Sequence, residues 1–172
     1  PENGVRFNAA KLLIDPYTHL LDGDLTYAPE IYGHVAHNGT GGGDLSVRDG
    51  RDSAGFVPYS VVTDYRVREV VRPLVPWAKT IIYEAHVKGL TAKNPDIPEN
   101  ERGTYKALGH PSTIAHLKSI GVTALELLPI AASLTEPAIF HRGRINYWGY
   151  NSIAFSSPHA AYASSTDPIT EL

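Results

Sequence analysis

The densest run of ligand-recognising side chains is Asn146-Tyr147-Trp148-Gly149-Tyr150-Asn151. A pyranose ring has apolar C–H faces and a rim of hydroxyls, so a sugar site pairs flat aromatic faces with amide hydrogen-bonders, and this segment holds both. The plainer alternative is that these aromatics pack the loop against the protein's own surface. For Trp148 that packing is expected. Glu84 and Glu126 invite comparison with the two carboxyl groups, about 5–5.5 Å apart, of retaining glycoside hydrolysis. Both fall in the middle of expected strands rather than at the C-terminal ends where α/β barrels do chemistry, so a structural role is expected for each.

The eight histidines do not form a metal signature. His34 and His37 have a usable spacing, but no carboxylate or third histidine follows at a recognisable interval, and no required metal or other cofactor is expected. His86 reads as a buried, hydrogen-bonded histidine rather than a proton carrier. Lys88 and Arg102 could meet sugar hydroxyls, yet exposed loop cations ordinarily stay hydrated. There is no nucleophile elbow and no Ser-His-Asp order. The run Asn38-Gly39-Thr40-Gly41-Gly42-Gly43-Asp44 has no following Lys-Ser/Thr and no flanking strand and helix, so it reads as a surface loop rather than a phosphate cradle.

The elements that would position these groups are clearest in the second half. Thr80–Val87 is rich in β-branched and aromatic residues and reads as a strand. A long polar loop spans 88–110. Pro111 opens a helix with Ile114, Leu117 and Ile120 at spacings of three, and Gly121 stands where a helix is terminated. Val122–Leu128 follows as a nearly continuous apolar strand, stopped by Pro129. Strand, helix and strand in this order make a βαβ unit with a right-handed crossover, and strands apolar on both faces belong to a buried parallel sheet. The first 75 residues lack sustained periodicity; Lys11-Leu12-Leu13-Ile14 before Asp15-Pro16 reads as a strand or one helical turn ended by a proline turn.

Composition bounds the class. The chain has 172 residues, 42% hydrophobic and 19% charged, as in ordinary globular domains. A net charge of -3 gives no footprint for nucleic acid or an anionic membrane. The absence of cysteine removes disulfides, thiolate metal sites and cysteine nucleophiles. The most apolar stretch, 124–134, is too short to span a bilayer, and with no basic-then-apolar run in the opening residues no secretory signal is expected. With Pro1 first and no methionine anywhere, and with the turn-like Pro1-Glu2-Asn3-Gly4 running into Val5-Arg6-Phe7, the chain is expected to be a piece of something longer.

Five segments, in order, resemble a known family. YEAHVKGLT at 83–91, RGTYKALGHP at 102–111, HLKSIGVTALELLP at 116–129 and NYWGYN at 146–151 are similar to the glycogen debranching enzyme and isoamylase branch of the α-amylase superfamily. GVRFNAAKLLIDPY at 4–17 is similar to that family's junction between an N-terminal β-sandwich and the barrel. Asp52-Ser53-Ala54 and Pro58-Tyr59-Ser60-Val61-Val62 also fit, with Tyr59 where a lysine is common.

The resemblance implies an α/β fold: the first strands of a (β/α)₈ barrel, incomplete here, after an irregular β junction. Residues 1–75 would be the junction, and 76–172 the start of the catalytic barrel with strands 1 and 2. A complete barrel needs roughly 250 residues, so the nucleophilic Asp, the acid/base Glu and the stabilising Asp would lie beyond this stretch. The parent would hydrolyse α-1,6 branch linkages of glycogen or limit dextrin by a retaining two-carboxylate mechanism in a bacterial cytoplasm, with α-glucans (glycogen, limit dextrin, maltodextrin) as its partners, and the piece alone would be inactive. Tyr150 matches the tyrosine that stacks beneath the glucose at the cleavage subsite; Tyr147, Trp148 and Asn151 complete the expected sugar contacts. Two rivals stay open: another α-glucan enzyme, such as a branching enzyme or a trehalose-releasing hydrolase, and a non-catalytic glucan-binding module. Two parallel strands without the rest of a barrel leave open edges, so the isolated piece is expected to aggregate or to associate with other chains.

Overall fold

The computed structural model describes residues 7–64 and 69–172. The turn read at positions 1–4, and the run from it as far as position 6, lie outside the described residues. In the first half, β1 (Leu21–Asp22) pairs antiparallel with β4 (Tyr59–Ser60), and β2 (His34–Ala36) with β3 (Gly43–Arg48). The glycine-rich run is the connection of the second pair, with the His37 amide donating to Gly42 O at 2.8 Å. Gly41 there has φ +80°, a conformation that glycine adopts without strain.

The expected strand or helical turn at 11–14 is neither. Those residues are irregular backbone fastened by side chains, and Leu13 is exposed. Lys11 Nζ donates to Glu30 O at 2.7 Å and Arg51 O at 2.8 Å, and pairs with Asp49 Oδ1 at 3.4 Å. Asp49, only 2% exposed, also accepts from the Arg51 amide and guanidinium. These donors hold its carboxyl well below the usual carboxylate range. A buried carboxylate is tolerated only when paired and fully hydrogen-bonded, so this node substitutes for a core where aliphatic residues are scarce. The proline turn does form: the Tyr17 amide donates to Asp15 Oδ1 and the Thr18 amide to Asp15 O.

In the second half β5 (Ile82–Ala85) and β6 (Ala124–Leu127) pair in parallel, with Ile82 opposite Ala124 and Ala85 opposite Leu127. Between them run three helices, α1 (Val87–Thr91), α2 (Tyr105–Leu108) and α3 (Pro111–Ser119). The strand–helix–strand unit is therefore present, but shorter at its strands and more helical between them than the sequence suggested. The residues expected as one polar loop at 88–110 carry most of α1 and all of α2. Val87, expected to end the strand, instead opens α1, because the His86 ring Nδ1 accepts from the amides of Lys88 and Gly89 at 3.0 and 3.2 Å. A histidine cap satisfies the first free amides of a helix as Ser or Asp would, and it is missing from the usual start signals.

Helix α3 begins at Pro111 as expected. Gly121, at φ +81°, ends it, with its amide on Lys118 O and that of Val122 on Leu117 O. Its inner face is Thr113 and Leu117, four apart; Ile114 and Ile120, expected beside Leu117, are exposed. The expectation of strands buried on both faces also fails. Only Ala85 of β5 is buried, and Ile82 remains half exposed, because a two-stranded sheet covers neither face by itself. No closed barrel exists among the described residues.

After Pro129 the chain forms β7 (Ala131–Ser133), which pairs antiparallel with β8 (Ser152–Pro158). The register jumps twice, between Ala131 and Ala132 and between Ala132 and Ser133, as bulges do. The intervening segment contains α4 (Pro137–Phe140), and α5 (Pro168–Glu171) closes the chain. The core beneath these elements is Val87, Tyr105 and Tyr162, with Leu108, Leu127, Ile130 and Ala163 packed against it. Among the described residues no helix is long and apolar enough to cross a membrane.

Thr91, 1% exposed, accepts at Oγ1 from the Gly103 amide at 2.8 Å, joining α1 to the turn before α2. Thr91→Val keeps the shape and strands that donor. Hydrogen exchange at the Gly103 amide is expected to accelerate by the equivalent of about 1–3 kcal/mol, and an unchanged rate would show that the bond contributes nothing.

Candidate functional site

The aromatic segment lies in the connection between β7 and β8, directly before β8. Three side chains fix the segment's path. The Asn146 amide donates to Thr135 Oγ1 at 3.0 Å, Asn146 Nδ2 donates to Glu136 Oε1 at 3.2 Å, and Asn146 Oδ1 accepts from the Gly149 amide at 3.2 Å. Gly149 turns the chain at φ +77°, where a Cβ would sit 3.3 Å from Pro129 O. Asn151 O accepts from the Leu134 amide at 2.9 Å. Asn146 is thus a scaffold residue, and its amide is committed to the loop.

The aromatic rings divide by role. Tyr147 stacks flat on His86, with centroids 4.1 Å apart and planes 8° from parallel. Trp148 stands edge-on to Tyr147 at 5.4 Å and to His86 at 6.4 Å. Tyr150 is 69% exposed, and among the described residues its ring has no aromatic contact and its hydroxyl no hydrogen bond. Apart from these two edge contacts Trp148 is more than half exposed.

His86 is the buried, hydrogen-bonded residue that the sequence suggested. Because Nδ1 accepts two helix amides, the ring proton belongs on Nε2, which donates to Tyr147 O at 2.7 Å. The Tyr162 hydroxyl lies 3.0 Å from the same nitrogen, and the two rings meet edge to face. Below them the Tyr105 hydroxyl donates to Ile130 O at 2.7 Å and accepts from the His159 amide at 2.9 Å. Burial pushes the Tyr105 and Tyr162 hydroxyls above the usual tyrosine range, Tyr147 adding to the effect on Tyr162, so both stay protonated. His86, Lys88, Thr135, Asn146, Tyr147 and His159 are among the residues around a cavity of ≈ 160 Å³ beside the loop. Tyr105, His159 and Tyr162 were not singled out from sequence. The one available signal was their place beside recognisable motifs, since a buried tyrosine and a surface tyrosine look alike in a sequence.

The remaining candidates separate from this site. Glu84 and Glu126 stand opposite each other in the β5–β6 register and are exposed, and among the described residues neither has a hydrogen-bond or ion-pair partner. Arg102, expected to be hydrated, instead donates from Nε to Ile97 O at 2.8 Å and from Nη2 to Pro95 O at 3.3 Å. Its guanidinium carries the carbonyls of a loop that has no ladder of its own. His34 bonds through Nε2 to Gly41 O at 2.8 Å, and among the described residues no three potential metal ligands gather.

With this geometry in hand, the chain can be set beside known proteins. No protein-family model matches it. Solved structures share its fold: the catalytic module of the multi-modular glycogen-degrading pneumococcal virulence factor SpuA (TM-score 0.63, 19% identity, 94% of this chain and 22% of that one), and a pullulanase from Anoxybacillus sp. LM18-11 complexed with maltotetraose (TM-score 0.52, 20% identity, 92% and 20%). Pullulanase type I from Bacillus subtilis str. 168, complexed with maltose, aligns over 66% of this chain and 18% of its own at 27% identity and TM-score 0.51.

In sequence the resemblance is narrower and much stronger. The chain is 48% identical over 169 residues to the glycogen debranching enzyme of Klebsiella pneumoniae subsp. pneumoniae, and 47% identical over the same length to that of Salmonella typhi. The alignments cover 97% of this chain and 24% of each relative, so it spans about a quarter of the length of the curated relatives it matches. The likeness to glycogen debranching enzymes first read from five short segments therefore extends along nearly the whole chain.

Burial lowers the pKa of His159, whose Nδ1 faces the Ser133 amide. The unfolded chain then binds more protons than the folded one as pH drops below about 6.5, so this contribution is present above that value and lost on acidification. Thermal melts are expected to show a steeper loss for the wild type than for His159→Asn between about pH 7 and pH 5.5; equal slopes would mean that His159 is solvated in the folded state.

Proposed function

We propose that this chain is the part of a glycogen debranching enzyme that opens its catalytic barrel. Residues 1–75 form the junction with an N-terminal β-sandwich, and 76–172 carry the first two strands of a (β/α)₈ barrel with long segments after each strand. The parent hydrolyses α-1,6 branch linkages of glycogen or limit dextrin with retention, in the bacterial cytoplasm. Its nucleophilic Asp, acid/base Glu and stabilising Asp come from segments outside this stretch, so the stretch by itself is inactive. Glu84 and Glu126 are given no part in catalysis: they face each other one position before the last residue of their strands, exposed and without a partner among the described residues.

The observation that carries the reading is the exposed Tyr150 ring, held out by a loop whose path the Asn146 backbone amide and side chain fix. A flat face with no aromatic partner among the described residues, next to an Asn151 side-chain amide that likewise has no hydrogen bond among them, suits the apolar face and hydroxyl rim of a glucose unit. Tyr147 and Trp148 supply the wall behind it. The parallel β5–β6 pair ends beneath this platform, which is where α/β barrels gather substrate-binding loops. The exposed apolar surface of β5 fits a strand that meets further strands in a closed barrel.

In the full-length parent, Tyr150→Ala is expected to lower kcat/KM on pullulan by at least about tenfold, with Trp148→Ala costing less. Hydrolysis of pullulan in preference to linear maltodextrin supports debranching. A parent that transfers linear chains and leaves branch points intact would overturn the reading in favour of another α-glucan enzyme, and one that binds maltohexaose without cleaving any glucan would make it a binding module.

A further inference from the structure

The aromatic platform is tied to the other half of the chain through one tyrosine. Tyr27 lies between β1 and β2, more than a hundred residues from the loop in sequence. Its hydroxyl donates to the carbonyl oxygen of Thr135. Its ring packs 4.8 Å from that of Phe140 in α4 and 6.4 Å from that of His141. From the other side the connection of the β2–β3 pair closes over it. A Cβ at Gly39 would come within 2.2 Å of Tyr27 O and 3.3 Å of His141 Nε2, so the backbone there lies directly against both.

What Tyr27 grips is the anchor of the platform. Thr135 presents its carbonyl to Tyr27 and its hydroxyl oxygen to the Asn146 amide. Its neighbour Glu136 holds the Asn146 side chain, which in turn holds the Gly149 amide next to Tyr150. Every link is a hydrogen bond between adjacent groups, and Gly149 has little room to shift against Pro129. Burial, with Tyr32 and Glu136 adding to it, pushes the Tyr27 hydroxyl above its ordinary range, which keeps it protonated and able to donate.

We propose that Tyr27 is a positioning residue for the sugar platform: the junction segment braces Thr135, and through Thr135 and Asn146 it sets where the Tyr150 ring stands. The catalytic relevance of this brace rests on the reading of the loop as an α-glucan site; the brace itself does not. Removing the hydroxyl loosens the anchor without touching the sugar-facing residues. The loss then falls on how well the platform fits substrate, and the bonds broken in the reaction are unaffected.

The test uses Tyr27→Phe in the full-length protein, with Tyr59→Phe as control. Tyr59 belongs to the same half and donates to Ala54 O at 2.8 Å, away from the loop. Hydrogen exchange of the amides at 146–151 is expected to quicken about threefold to tenfold in Tyr27→Phe and not in Tyr59→Phe, the size of one net hydrogen bond. On pullulan KM is expected to rise about threefold or more with kcat within about twofold, the signature of weakened binding rather than weakened chemistry. Unchanged exchange at 146–151 would overturn the brace. Faster exchange in an active enzyme whose KM does not move would overturn its positioning role. A wild-type parent inactive on all branched glucans would refute the proposed function, while the exchange measurement still decides whether Tyr27 braces the loop.

Discussion

One imidazole joins most of what matters in the second half of the molecule. His86 ends β5, caps α1 through Nδ1, binds the Tyr147 carbonyl through Nε2, meets the Tyr162 hydroxyl and carries the Tyr147 ring on its face. A buried side chain with two distinct nitrogens can do this only in one tautomer, and the two helix amides choose it. The consequence reaches the surface. Because Tyr147 spends one face on His86, the ring left free for a partner is that of Tyr150.

The platform is therefore assembled from the inside outward. Val87, Tyr105 and Tyr162 form a small core whose two phenols are turned to backbone carbonyls, amides or His86 rather than left unpaired. Buried polar groups without partners cost free energy, so tyrosines in this position specify the surrounding backbone as well as fill space. The bulged β7–β8 pair then projects the loop, and Gly89 leaves room for it: a Cβ there would lie 2.9 Å from the Tyr147 hydroxyl. The first half of the chain uses a different device, the Asp49 node, and the two halves meet at Tyr27.

The parts legible in the sequence were those governed by local rules. A β-branched and aromatic run and a nearly continuous apolar run marked the two parallel strands, and Pro111 with Gly121 bracketed α3. Short elements escaped for physical reasons. Helices α1 and α2 have five and four residues, too few to show a period, even though Val87, Thr91, Tyr105 and Ala107 are buried. Strand β7 is three small residues and exists because β8 pairs with it. Arg102 reads as a solvated cation because nothing near it in sequence reveals that a loop needs its carbonyls bonded.

The amino-acid sequence determined which residue types stand together at 146–151, where α3 starts and stops, and that two apolar segments would pair across it, since those follow from spacing and backbone preference alone. Only the tertiary structure decided which tyrosine stays free, that His86 reaches Tyr147 and Tyr162, and that Tyr27 reaches Thr135. These depend on contacts across 61, 76 and 108 positions of chain, and no local preference encodes a partner that far away.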